Sequence, residues 1–166
     1  MSATDMPPQT ILIVDDEPAN LRMMVEHLEV HGFRVLVSQD GISGLRRARY
    51  ARPDLILLDA ILPDLNGFEL CRQLKADAST SAIPVIFMTI LTIPEDKVKA
   101  FAVGGVDYIT KPVQWEEVLA RVTTHLRICA LTHKLQQANY ALEKKMSEHA
   151  AEMERMQQLL QSRLQK

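Results

Sequence analysis

The chain has 166 residues, 47% of them apolar and 24% charged, the make-up of an ordinary folded domain rather than of a disordered chain. A net charge of −2 gives no electrostatic footprint for nucleic acid, and no apolar run reaches the roughly 18 residues needed to span a membrane. Cys71 and Cys129 are the two cysteines, too few for a disulfide framework and without a C-x-x-C pair, which fits a reducing, cytoplasmic setting.

The N-terminus, MSATDMPPQ, has neither the basic nor the apolar region of a secretory signal, so residues 1–9 are expected to be a disordered lead-in. Ile11 to Val14 is a short β-branched run that leads straight into Asp15-Asp16. A continuous apolar run of that length predicts a strand buried on both faces. Pro18 suits the first turn of a helix. Leu21, Met24, Val25 and Leu28 keep helical spacing, and Gly32 ends it. The same unit then recurs: strand 35–37 and helix 41–51, strand 55–58 ending at Asp59 and helix 67–76, strand 85–88 ending at Thr89 and helix 94–103. A last strand, 106–109, ends near Lys111.

Five alternating β–α units predict an α/β fold, a five-stranded parallel doubly wound sheet with helices on both faces and right-handed crossovers. Ligands in such sheets bind beyond the carboxyl ends of the strands. Asp15, Asp16, Asp59, Thr89 and Lys111 all stand there. One strand-end aspartate is an ordinary turn former, but five chemistry-bearing residues at the C-terminal ends of four strands are poorly explained by turns. Three carboxylates in one cleft repel and call for a cation, and an all-oxygen donor set on a pocket rim suits Mg²⁺. A lysine and a threonine alongside would hold phosphoryl oxygens. A carboxylate can itself accept the phosphoryl group. Asp59 is the candidate, because it stands alone at the end of the third strand, the expected centre of the sheet.

These residues resemble the receiver domain of two-component response regulators. The matching signs are Asp15-Asp16, Asp59 in D-A-I-L-P-D-L-N-G, Met88-Thr89, and Tyr108-Ile109-Thr110-Lys111-Pro112. The resemblance covers roughly residues 9–127. It implies that Asp59 is phosphorylated by a histidine kinase or phosphotransfer protein. It also implies Mg²⁺ on Asp15, Asp16, Asp59 and the backbone carbonyl of Ile61, with Thr89 and Lys111 on the phosphoryl oxygens. Thr89 and Tyr108 would be the switch pair, and the Lys111–Pro112 bond would be cis. Ile90 departs from the family's usual small residue, and Ile61 and Leu91 are apolar where polar residues often stand. All three are expected to flank the phosphoryl site and to prolong the phosphorylated state.

Other patterns read as structure. His27 and His31 lack the glutamate placement of a zinc protease and are read as solvated helix residues. Arg46, Arg47, Arg49 and Arg52 are read as the wet face of the second helix, Cys71 as a packed thiol, and Trp115 as the anchor of the last helix.

All six glycines and eight prolines precede residue 113, so the C-terminal third has no built-in chain breaker. Residues 1–114 carry a net charge of −4 and residues 115–166 a net of +2. Ile128, Leu131, Leu135, Ala138, Leu142, Met146, His149, Met153, Met156, Leu160 and Leu164 recur at steps of three and four that mostly alternate, as a coiled-coil seam requires. A stutter is read near Leu142. The expected organisation is therefore a lead-in at 1–9, a receiver domain at 10–127, and a coiled-coil extension at 128–166 continuous with the last receiver helix. That extension would form a parallel homodimer driving an output beyond residue 166, where any output enzyme would lie. No partner nucleic acid or membrane is expected. The rival readings are an aspartate-nucleophile Mg²⁺ phosphatase, whose D-x-D motif is replaced here by D-D-E after the first strand, and a phosphorylation-independent dimerisation module.

Overall fold

A computed structural model describes residues 7–165. The elements alternate strictly: β1 Thr10–Val14, α1 Pro18–Val30, β2 Arg34–Ser38, α2 Gly41–Ala51, β3 Leu55–Leu58, α3 Gly67–Ala76, β4 Val85–Thr89, α4 Pro94–Ala102, β5 Asp107–Thr110 and α5 Trp115–Leu164. The five strands form one parallel sheet in the order β2-β1-β3-β4-β5. The fold class read from the sequence is correct, and β3 is indeed the central strand.

Strand periodicity splits the core into two layers. Leu12, Val14, Ile56, Leu58, Val85 and Phe87 face one way and pack with Leu45, Ala48, Phe68, Cys71, Leu74 and Ala100 of α2, α3 and α4. Ile11, Ile13, Leu55, Leu57, Ile86, Met88 and Ile109 face the other way, against Leu21, Met24 and Leu28 of α1 and Val118, Val122 and Leu126 of α5. Each fully buried Leu, Ile or Phe contributes about 1.5–3 kcal/mol, so these two layers supply the main drive for folding.

Helix ends follow local chemistry. α1 begins with Pro18 in its first turn and is followed by Gly32 at φ 86°, a left-handed conformation that glycine adopts without steric cost. At α2 the Asp40 side chain accepts from Ser43 N, while the Asp64 carboxylate accepts from Gly41 N at 2.7 Å and Ile42 N at 2.9 Å. These bonds satisfy amides that have no partner inside the helix.

The last strand starts and ends one residue later than the predicted 106–109. Val106 donates its amide to Val85 O but leaves its side chain partly exposed, so it joins the ladder's edge without a place in the core. The helix predicted to end at 103 closes at Ala102, where the Val103 and Gly104 amides turn back onto Lys99 O and Phe101 O. Of the expected lead-in, residues 1–6 lie outside the described residues. Residues 7–9 are exposed and carry no regular structure.

The chain divides into two compact units, the first ending at Leu126 and the second beginning at Arg127. The second is helical through Leu164, and its described residues other than Cys129 are exposed. Among the described residues no helix is long and apolar enough to cross a membrane.

Candidate phosphoryl-acceptor site

Strand register builds the site. Val14 pairs with Leu58, so the residues that follow them, Asp15 and Asp59, leave the sheet side by side. Thr89 pairs with Thr110, which sets Lys111 beside the end of β4, and the Lys111 amide bonds Thr89 O at 3.0 Å. Asp15, Asp59 and Thr89 are buried, whereas Asp16 is exposed.

The carboxylates of Asp15, Asp16 and Asp59 each offer an oxygen within 4.8 Å of the others. Lys111 Nζ bridges two of them, at 2.6 Å from Asp15 Oδ2 and 2.7 Å from Asp59 Oδ2. The remaining oxygens of that pair accept backbone amides, Asp15 Oδ1 from Glu17 N at 2.9 Å and Asp59 Oδ1 from Ile61 N at 3.0 Å. Burial works to lower the Lys111 pKa, but its hydrogen bonds and attraction to Asp15 and Asp59 outweigh it and raise the pKa above the ordinary lysine value. The ammonium is therefore held charged, and it offsets one of the two buried negative charges.

The donor set is all oxygen, with no thiolate or imidazole. That chemistry fits a hard divalent cation such as Mg²⁺, which takes a few carboxylates and keeps water for its other positions.

The Lys111–Pro112 bond is cis, as the resemblance implied. Tyr108 is largely buried, and its hydroxyl donates to Leu91 O. Burial, with the charges of Asp96 and Asp59, raises its pKa above the ordinary tyrosine value. Thr89 Oγ1 accepts from Leu91 N at 3.4 Å. Both candidate switch residues thus bond the backbone of one residue, Leu91, which sequence reading had singled out only for its apolar side chain.

Leu91 packs partly buried against the core layer that contains Tyr108 and Phe87, drawn in by apolar surface. Ile61 and Ile90 stay outside, 48% and 66% exposed. Gly67 shapes the loop after Asp59 by close approach. A Cβ there would collide with Asp59 O and come within 2.7 Å of Ala60 Cα.

The remaining patterns are mostly as read. Cys71 is fully buried, with a thiol that burial pushes up to about 11. Arg46, Arg47, Arg49 and Arg52 are exposed, and Arg49 pairs with Asp77 at 2.8 Å. His27 is more than a solvated residue: its ring stacks on Trp115 with centroids 4.1 Å apart, and its carbonyl lies 2.7 Å from His31 Nδ1. Sequence reading missed Asp107. Its carboxylate takes Arg121 at 2.7 Å and His125 at 2.9 Å, tying β5 to α5. Residues on separate elements gave no local signal for that contact.

Residues 11–123 match the response regulator receiver domain family, and the chain belongs to that family. The chain is 45% identical over 116 residues to Protein PilH of Pseudomonas aeruginosa, covering 70% of this chain and 96% of that protein. It is 37% identical over 157 residues to the "Probable cyclic di-GMP phosphodiesterase" of Vibrio cholerae, covering 95% of this chain and 35% of that protein. Among solved structures, the CheY-like receiver domain protein of Methanospirillum hungatei superposes with a TM-score of 0.72 at 28% identity, over 75% of this chain and 98% of that one. The chain spans about half the length of several curated relatives it matches.

Proposed function

We propose that Asp59 is the phosphoryl acceptor of this receiver and that a histidine kinase or phosphotransfer protein is the donor. The observation that carries the reading is the convergence of Asp15, Asp16 and Lys111 on one buried aspartate at the centre of the sheet. An oxygen of the Asp59 carboxylate attacks phosphorus, the bond from phosphorus to the donor's imidazole nitrogen breaks, and the imidazole leaves with that electron pair. Mg²⁺, held by Asp15, Asp16, Asp59 and the Ile61 carbonyl, would supply charge neutralisation. Lys111 exchanges its carboxylate partners for a phosphoryl oxygen, and Thr89 donates its hydroxyl to another.

Phosphorylation takes Asp59 from one negative charge to about two. The Thr89 hydroxyl follows the new oxygens and loosens its bond with Leu91 N. Tyr108, buried and bonded to the carbonyl of the same residue, lies inward as Thr89 moves towards the phosphoryl group. The signal then passes along α5, which we take to be the arm of a parallel homodimer acting on an output domain in the cytoplasm. The receiver carries out its own phosphorylation and no other chemistry.

Intact mass after treatment with acetyl phosphate and Mg²⁺ tests the reading. A gain of about 80 Da, one phosphoryl group, is expected in the wild type and not in Asp59→Asn. Equal incorporation in both would overturn the assignment. Steady turnover of varied phosphate esters would favour a phosphatase instead.

A further inference from the structure

The unit from Arg127 onward is helical through Leu164, and its apolar residues follow a stricter rule than alternating threes and fours. Leu131, Leu142, Met153 and Leu164 stand eleven residues apart. Leu135 and Met146 follow the first two at four residues, and Ala138, His149 and Leu160 follow the first three at seven. Met156 stands three residues after Met153, where the two earlier repeats hold Lys134 and Lys145. These ten seam residues are exposed along the helix, the large ones between 48% and 87%.

Eleven residues in three turns is about 3.67 per turn, slightly more than the 3.6 of an α-helix, so the stripe drifts about 20° per repeat, opposite to a seven-residue stripe. A seven-residue frame continued from Leu135, Ala138 and Leu142 would centre Lys145, Glu152, Leu159 and Arg163. It would bring three charged side chains into the seam, at a large desolvation cost, and leave Met146, Met153 and Leu160 outside. What reads near Leu142 as a single stutter is one step of a repeat that continues to Leu164.

We propose that a second copy of this chain packs on this stripe in an eleven-residue register, the two helices running side by side nearly straight with a slight right-handed wind. The proposal rests on the parallel homodimer proposed above. Copies aligned at equal height set Leu131, Leu142, Met153 and Leu164 each against its own counterpart. Lys134 and Lys145 lie at the flank, where their aliphatic stems cover Leu135 and Met146 while the ammonium groups stay in water. On each copy the stripe offers eight large apolar side chains, 48% to 87% exposed, and covering both stripes is expected to approach the roughly 1,200–2,000 Å² of a stable specific interface.

Single-cysteine cross-linking in the full chain decides the register. Cys129→Ala removes the accessible thiol, and Cys71 is fully buried. Met153→Cys and Leu160→Cys should form inter-chain disulfides at least tenfold faster than Glu152→Cys and Leu159→Cys. Leu135→Cys and Leu142→Cys lie in the seam under either register and should both cross-link. Faster reaction at 152 and 159, or equal rates at all four positions, would leave the dimer standing and overturn the eleven-residue register. No cross-link at 135 or 142 would mean that the parallel dimer itself is wrong, and this proposal with it.

Discussion

Lys111 shows how one residue changes meaning once its neighbours are known. Its ammonium sits between Asp15 and Asp59, so removing it leaves two buried carboxylates without their counter-charge. We expect Lys111→Ala to bind Mg²⁺ at least as tightly as the wild type and to pass the signal on poorly. Calorimetric titration with Mg²⁺ checks the first point, and a total loss of binding would contradict it. The raised lysine pKa also has a sign. Its stabilisation is complete below the ordinary lysine value and fades only as pH rises through the higher folded value. The ion pair should therefore be indifferent to pH between about 6 and 9. Tyr108→Phe removes the donor to Leu91 O. A cost of about 1 kcal/mol in stability is expected from one lost hydrogen bond, measured by urea unfolding. Mass spectrometry should find Asp59 still phosphorylated in that variant.

At the scale of elements, two contacts hold the site in place. Gly67 lets α3 begin directly against the backbone of Asp59 and Ala60. Gly67→Ala must push that loop away, at about 1–3 kcal/mol for overpacking, and should slow phosphorylation by acetyl phosphate more than Mg²⁺ binding. Equal phosphorylation rates in mutant and wild type would show that the loop tolerates the shift. The other contact is Asp107 with Arg121 and His125, which fastens α5 to β5. Burial works to raise the Asp107 pKa, but hydrogen bonds from Arg121, His125 and the Tyr108 amide lower it overall. A depressed carboxylate stabilises the fold above its unfolded pKa, about 3.9, and loses that contribution as pH falls through the folded value. Thermal melts should thus decline below about pH 4, and Asp107→Asn should flatten part of that decline.

For the whole molecule, the expected assembly depends on α5. In the dimer we propose, pairing would cover ten seam residues that the helix leaves exposed. A chain cut after residue 130 should be a monomer or a far weaker dimer by sedimentation equilibrium. Equal affinities in the cut and full chains would move the interface onto the receiver. The seam holds Ala138, His149 and three methionines, whose layers would contribute less than a leucine pair, so the proposed dimer is expected to be of moderate strength.

Much of this was legible in the residue order. Buried parallel strands are short apolar runs, so their number, their ends and the fold class could be read locally. Strand ends in such a sheet share one edge, so Asp15, Asp16, Asp59, Thr89 and Lys111 could be placed together before any coordinates. The eleven-residue stripe was equally present in the spacing. Tertiary structure decided the rest, because it depended on which elements meet. Lys111 lies 96 residues from Asp15 in sequence, and only strand register makes them partners. Leu91 could turn to solvent or to the core, and the apolar layer beneath it draws it inward. The joint bonding of Thr89 and Tyr108 to Leu91, the stacking of His27 on Trp115 and the pinning of α5 by Asp107 all cross between elements. Local pattern carries no record of such contacts, since each depends on packing between surfaces far apart in the chain.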